Sequence, residues 1–230
     1  MPIRAVIFDV GGVLFHQPDK SRHRYWEERL GLAVGALGST VWQLPISQQA
    51  VVGLASQAEV WAAVASHFSL DPTAATALGE DYFSGAEWNV QLIEYARLLR
   101  ARYKTGILSN AWPEARRAVQ AWVNEEVFDD LVFSAEVGLA KPDRHIYELA
   151  LDRLHVRPVE AIFIDDGQGN VEAAQAIGMA GIRFETTEQT ITMIEQYLKA
   201  SRPARPPLRG QGVSGTVESK DAIERINHVG

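Results

Sequence analysis

In this 230-residue chain, the residues best suited to chemistry are polar side chains that close short apolar runs. Asp9 follows AVIF and is itself followed by Val10 and the pair Gly11-Gly12. Asp165 and Asp166 follow AIFI, Ser109 and Asn110 follow KTGIL, and Lys141 lies in the loop sequence GLAKPD. An apolar run that stops at an acid reads as a buried strand whose last side chain reaches a rim. Three carboxylates brought together without balancing charge repel one another and rise in pKa. A hard cation resolves that conflict, and an all-oxygen set of this kind suits Mg²⁺. A hydroxyl, an amide and a lysine beside such a cation make a phosphate pocket. The chain has no cysteine, so the nucleophile it offers is an ionised aspartate.

These residues lie far apart in sequence, and only a particular fold gathers them. Residues 3–9 read as a two-sided buried strand. From about residue 20 to 101 the periods are helical and no strand is predicted. SQAEVWAAVASHF opens with Ser56 and Glu59, a capping box. DPTAATALGEDYF opens with Asp71 as a cap and Pro72 at the first helical position. Strand and helix then alternate: KTGILSN, a helix opened by Pro113, LVFS, the helix DRHIYELALDRL, AIFIDD, the helix GNVEAAQAIG stopped at Gly178, GIRF and a last helix EQTITMIEQYLKA. Such alternation predicts an α/β fold, a doubly wound parallel sheet of Rossmann-like type whose strand ends share one rim. From Ser201 the sequence is rich in Pro, Gly and Arg and reads as a flexible tail over 201–230, with a weak helix in SKDAIERI.

FDVGGVL, ILSN, AKPD and FIDDGQGNVEAA resemble the four ordered motifs of the haloacid dehalogenase-like (HAD) hydrolases. The resemblance runs from residue 3 to about 197 and is to the branch with a helical cap that contains the phosphatase half of soluble epoxide hydrolase. It implies a core of residues 1–15 and 95–200 with an inserted all-helical cap over 16–94. It implies that Asp9 attacks phosphorus, that Ser109 holds the phosphoryl group, with Asn110 beside it as the amide of the phosphate pocket, and that Lys141 neutralises nucleophile and phosphate. It also implies Mg²⁺ ligation by Asp9, by the Gly11 carbonyl, by Asp165 directly, and by Asp166 directly or through water. Members of the family that are phosphatases carry a second aspartate where this chain has Gly11. That acid protonates the leaving group and then activates water, so its absence predicts a slow or selective enzyme. His16, just past the glycine turn, is the candidate replacement.

The expected activity is Mg²⁺-dependent hydrolysis of a small phosphorylated metabolite through an aspartyl-phosphate. Two alternatives remain open. One is a catalytically weak HAD-fold binding or regulatory protein, which Gly11 would suit. The other is a haloacid dehalogenase, against which the paired Asp165-Asp166 speaks. A net charge of −7 argues against a broad nucleic-acid surface, and no apolar run reaches the ~18 residues of a membrane span. The absence of cysteine fits a reducing compartment, so a cytoplasmic protein is expected. Each residue also has an ordinary reading. An isolated Asp is a solvated cap, Lys141 a surface lysine, Ser109-Asn110 a turn, and Asp165-Asp166 a helix cap. Trp26, Trp42, Trp61 and Trp88 fall in the helical stretch and are expected mainly in its core, one of them lining a pocket.

Overall fold

The computed structural model describes residues 1–123 and 127–201. The helix expected in SKDAIERI, and all of the expected tail beyond Ser201, lie outside the described residues. The chain begins with β1 (Ala5–Phe8) and β2 (Phe15–His16). Five helices follow: α1 (Ser21–Leu30), α2 (Ala36–Gln43), α3 (Pro45–Val51), α4 (Gln57–His67) and α5 (Pro72–Tyr82). Next come β3 (Glu87–Trp88), α6 (Val90–Leu99), β4 (Lys104–Ser109), α7 (Ala115–Trp122), β5 (Asp130–Phe133), α8 (Ser134–Val137) and α9 (Arg144–Leu154). The chain closes with β6 (Ala161–Asp165), α10 (Gln168–Ala176), β7 (Ala180–Arg183) and α11 (Thr187–Ala200).

Five parallel strands form the sheet in the order β5-β4-β1-β6-β7. Alternation along β1 explains its two covered faces. Val6 and Phe8 enter one core with Leu92 and Leu99 of α6 and Ile194 and Leu198 of α11. Ala5 and Ile7 enter the other with Ile146, Tyr147 and Leu151 of α9. The chain runs outward from β1 through β4 to β5, then returns to the other side of β1 for β6 and β7. That reversal leaves a crevice at the carboxyl end of β1, where ligands bind in open α/β sheets.

Helices α1–α5 form a block with its own apolar core, containing Trp26, Leu37, Val41, Val60, Val64 and Leu78. Both predicted helix starts are present. Ser56 Oγ accepts the Glu59 amide at 3.2 Å while Glu59 accepts the Ser56 amide at 2.8 Å. Asp71 Oδ1 accepts the Ala74 amide at 2.9 Å, with Pro72 in the first turn.

Three local expectations need correction. The first strand is shorter than residues 3–9, and Asp9 stands just beyond it. A strand does occur in the helical stretch: Glu87–Trp88 pairs antiparallel with Phe15–His16, a two-residue ribbon too short to show alternation. Pro113 precedes rather than opens its helix, which starts at Ala115. Trp88 also differs from the other tryptophans. It packs on Phe15 against the sheet's core, with ring centroids 5.0 Å apart.

Candidate active site

Register brings the acids together. Phe8 is opposite Ile164 on β6, and the Asp9 amide donates to the Ile164 carbonyl at 2.9 Å. Asp9 and Asp165 therefore emerge side by side at the carboxyl ends of adjacent central strands. Ser109 closes β4 on the other flank of β1, and its hydroxyl helps to lower the Asp9 carboxyl. One carboxylate oxygen each from Asp9, Asp165 and Asp166 lie within 4.8 Å of one another.

Lys141 is the cation among them. It is buried, with Nζ 3.0 Å from Asp9 Oδ1 and 2.6 Å from Asp165 Oδ2. Its position is fixed through the backbone by Asn110. Asn110 Nδ2 donates to the Lys141 carbonyl, and Asn110 Oδ1 accepts the Lys141 amide, both at 2.8 Å. The Asn110 side chain is thus engaged with the Lys141 backbone.

Asp165 is saturated with donors. Oδ1 accepts the Gly167 amide at 2.8 Å and Asn170 Nδ2 at 3.1 Å; Oδ2 accepts Lys141 and, at 3.1 Å, the same Asn170 amide. Asn170 and Gly167 were not singled out in the sequence, although N and G in the run DDGQGN follow the acids at the spacing of a turn entering a helix. Asp166 has neither lysine nor asparagine on its carboxylate. Instead the carboxylate lies under Gly12, whose φ is +78°, and a Cβ there would come within 2.3 Å of Asp166 Oδ2. Gly12 is therefore the position of the pair that must be glycine. Gly11 is not in the left-handed region, and a Cβ there would meet nothing within 4 Å.

Burial, opposed by Lys141 and reinforced by the charge of Asp165, pushes the Asp9 carboxyl up to about 6. Desolvation under the glycine loop, and then the charge of Asp165, also raise Asp166. Three carboxylates and one ammonium leave the ionised cluster two charges negative. A divalent cation would balance it, so the residues present fit Mg²⁺ in both donor type and charge.

A cavity of about 700 Å³ opens beside the loop, between it and the helical block. Gly11, Gly12 and His16 line one end, and Trp42, Tyr82 and Phe83 supply aromatic wall. Trp42 thus lines this cavity, while Trp26 is buried. The His16 ring makes no hydrogen bond among the described residues.

A family model for haloacid dehalogenase-like hydrolase matches residues 3–178. The chain belongs to that family. This HAD-like hydrolase is 34% identical over 128 residues to the bifunctional epoxide hydrolase 2 of Sus scrofa, a match covering 52% of the chain but 23% of the relative. It is also 36% identical over 88 residues to a (S)-2-haloacid dehalogenase of Pseudomonas, covering 38% of the chain and 39% of that protein. The chain spans under a quarter of the length of its epoxide hydrolase relative. Among solved structures, a HAD family enzyme from Bacteroides thetaiotaomicron superposes with a TM-score of 0.71 at 20% identity, over 84% of this chain and 99% of that one. That likeness establishes the HAD-like fold. No helix among the described residues is long and apolar enough to cross a membrane.

Proposed function

We propose that this HAD-like hydrolase is a Mg²⁺-dependent phosphatase that cleaves phosphate monoesters of small metabolites through an aspartyl-phosphate on Asp9. The observation that carries the reading is the charge of the cluster: buried Asp9 and Asp165 and exposed Asp166 against the one Lys141. Attack on the carbon of a haloacid has no use for two surplus negative charges, whereas a divalent cation that would neutralise phosphoryl oxygens needs them. The dehalogenase reading is therefore the weaker of the two, despite the dehalogenase relative. The binding-protein reading leaves buried Asp9 and Asp165, bridged by Lys141, without a purpose.

In this reading Asp9, the Gly11 carbonyl and Asp166 hold the cation. Asp165, whose oxygens already carry Lys141, Gly167 and Asn170, positions the lysine and approaches the metal only secondarily. This reverses the emphasis between the paired acids that the family resemblance implies. A cation held there would supply charge neutralisation at the phosphoryl oxygens. An Asp9 carboxylate oxygen forms a bond to phosphorus as the bond to the alcohol oxygen breaks, and that alcohol oxygen takes up a proton from solvent, since Gly11 carries no acid. Ser109 and Lys141 hold the phosphoryl oxygens in place. Water then attacks phosphorus and regenerates Asp9 with release of inorganic phosphate. Residues 16–94 act as the cap over the 1–15 and 95–200 core, closing off water from the cavity and setting specificity.

Brief incubation with phenyl phosphate and Mg²⁺, followed by acid quench and peptide mass spectrometry, tests the covalent step. Phosphate is expected on the peptide containing Asp9 and on no peptide of Asp9→Asn. Steady phosphate release with no trapped adduct, and full activity in Asp9→Asn, would overturn the assignment.

A further inference from the structure

The loop after β4 carries four successive residues, each attached to a different part of the molecule. Ser109 stands beside Asp9, Asn110 holds the Lys141 backbone, and Trp112 is buried in the core of the helical block. Ala111, buried between them, is held by one hydroxyl. Ser134 Oγ accepts the Ala111 amide at 2.9 Å and donates to the Ala111 carbonyl at 3.2 Å. Neither backbone group has another hydrogen-bond partner among the described residues. A hydroxyl can make both bonds through a single atom, because it donates once and still has lone pairs to accept.

Ser134 is itself closely placed. It is fully buried and follows Phe133, which is opposite Ser109 in the sheet register. The segment behind it is held from two sides. Arg116 donates to the Glu136 carboxylate and to the Leu131 carbonyl. Gly53 of the helical block lies against the Ala135 carbonyl, where a Cβ would come within 2.2 Å of that oxygen.

We propose that Ser134 is a positioning residue: by clasping both backbone groups of Ala111, it fixes the loop that presents Ser109 to the phosphoryl group. This inference rests on the phosphatase reading and deepens it by dividing the site in two. Asp9, the glycine loop and Asp166 set the metal half. Ser134 sets the phosphate half without touching phosphate itself. Without its hydroxyl, a buried N–H and a buried C=O lose their partners, which is costly. The loop then shifts to satisfy them, and Ser109 shifts with it.

The test uses the full chain with Mg²⁺, phenyl phosphate as substrate and inorganic phosphate as the titrated ligand. Ser134→Ala should weaken phosphate binding in isothermal titration by about tenfold, as for a lost hydrogen bond to a charged group, and raise KM for phenyl phosphate in step. Its Mg²⁺-dependent rise in Tm, measured without phosphate, should match that of wild type. Ser134→Cys keeps a side chain of similar size with a weak donor and acceptor, and should fall between the two. If Ser134→Ala does not fold, Ser134→Cys must still bind phosphate more weakly with its Mg²⁺ response intact. A folded variant that binds phosphate as tightly as wild type overturns the proposal. So does a loss of the Mg²⁺ response in step with phosphate binding, which is what a purely structural role gives. Wild type separates the two claims: binding and hydrolysis there with unchanged variants sink the Ser134 inference alone, whereas neither phosphate binding nor phenyl phosphate hydrolysis sinks the phosphatase reading with it.

Discussion

Asp9 is an acid whose burial makes its ionised, nucleophilic state costlier than in water. Its carboxyl rises from 3.8 to about 6 in the folded chain, so between those values the native state binds more protons than the unfolded one. Stability of the metal-free protein therefore falls as pH rises from about 4 to about 6. Asp9→Asn removes this penalty. In EDTA the variant should exceed wild type by on the order of 2 kcal/mol above pH 6, and the difference should vanish near pH 4. Urea unfolding at both pH values checks this, and an equal difference at the two would exclude a titrating Asp9. Gly11 carries a second prediction. Because a side chain there meets nothing and the backbone is not left-handed, Gly11→Asp should fold normally. It should raise turnover of alkyl phosphates, by up to the ~10²–10⁴ of a general acid–base group, and affect aryl phosphates less. If His16 supplies the proton instead, His16→Ala will abolish alkyl-phosphate turnover while sparing phenyl phosphate. A folded Gly11→Asp protein that gains nothing on any ester would favour the binding-protein reading.

The elements that carry these residues differ in how openly the sequence displays them. Strands β1, β4 and β6 are apolar runs closed by Asp9, Ser109 and Asp165, so the rim could be read directly. The starts of α4 and α5 were equally plain, because capping uses local residues at fixed spacing. What was not legible depends on contacts between distant segments. Asn110 reaches Lys141 across 31 residues, and nothing in ILSN distinguishes that bond from a phosphate contact. Glu27 looks like any exposed helix acid until α2 covers it. The paired glycines are likewise indistinguishable in sequence, yet only Gly12 has a positive φ and abuts Asp166. Gly12→Ala should therefore cost about 1–2 kcal/mol in backbone strain and displace Asp166. Its Mg²⁺-dependent rise in Tm should shrink well below that of wild type, while Gly11→Ala keeps the full rise. Identical Mg²⁺ responses in the two variants would contradict the role given to Asp166.

At the scale of the molecule, the helical block and the sheet are joined through the loop that follows β4. Trp112, three residues after Ser109, is buried in the core of the block, with its ring centroid 5.0 Å from that of Trp42 and 5.9 Å from that of Trp61. Removing it should cost about 3–5 kcal/mol, as for other buried tryptophans. A loss under about 1 kcal/mol in thermal unfolding would show that the block holds its place without this side chain. The same junction makes the cavity, the glycine loop and the acid cluster one device, with the cluster's surplus charge as its centre. Phosphate release from a panel of small phosphate esters, assayed in EDTA and again after adding Mg²⁺, tests that centre most directly. Release should be absent in EDTA, restored by Mg²⁺ and absent under both conditions in Asp9→Asn. Full phosphate release in EDTA, or halide release from 2-haloacids without metal, would contradict it.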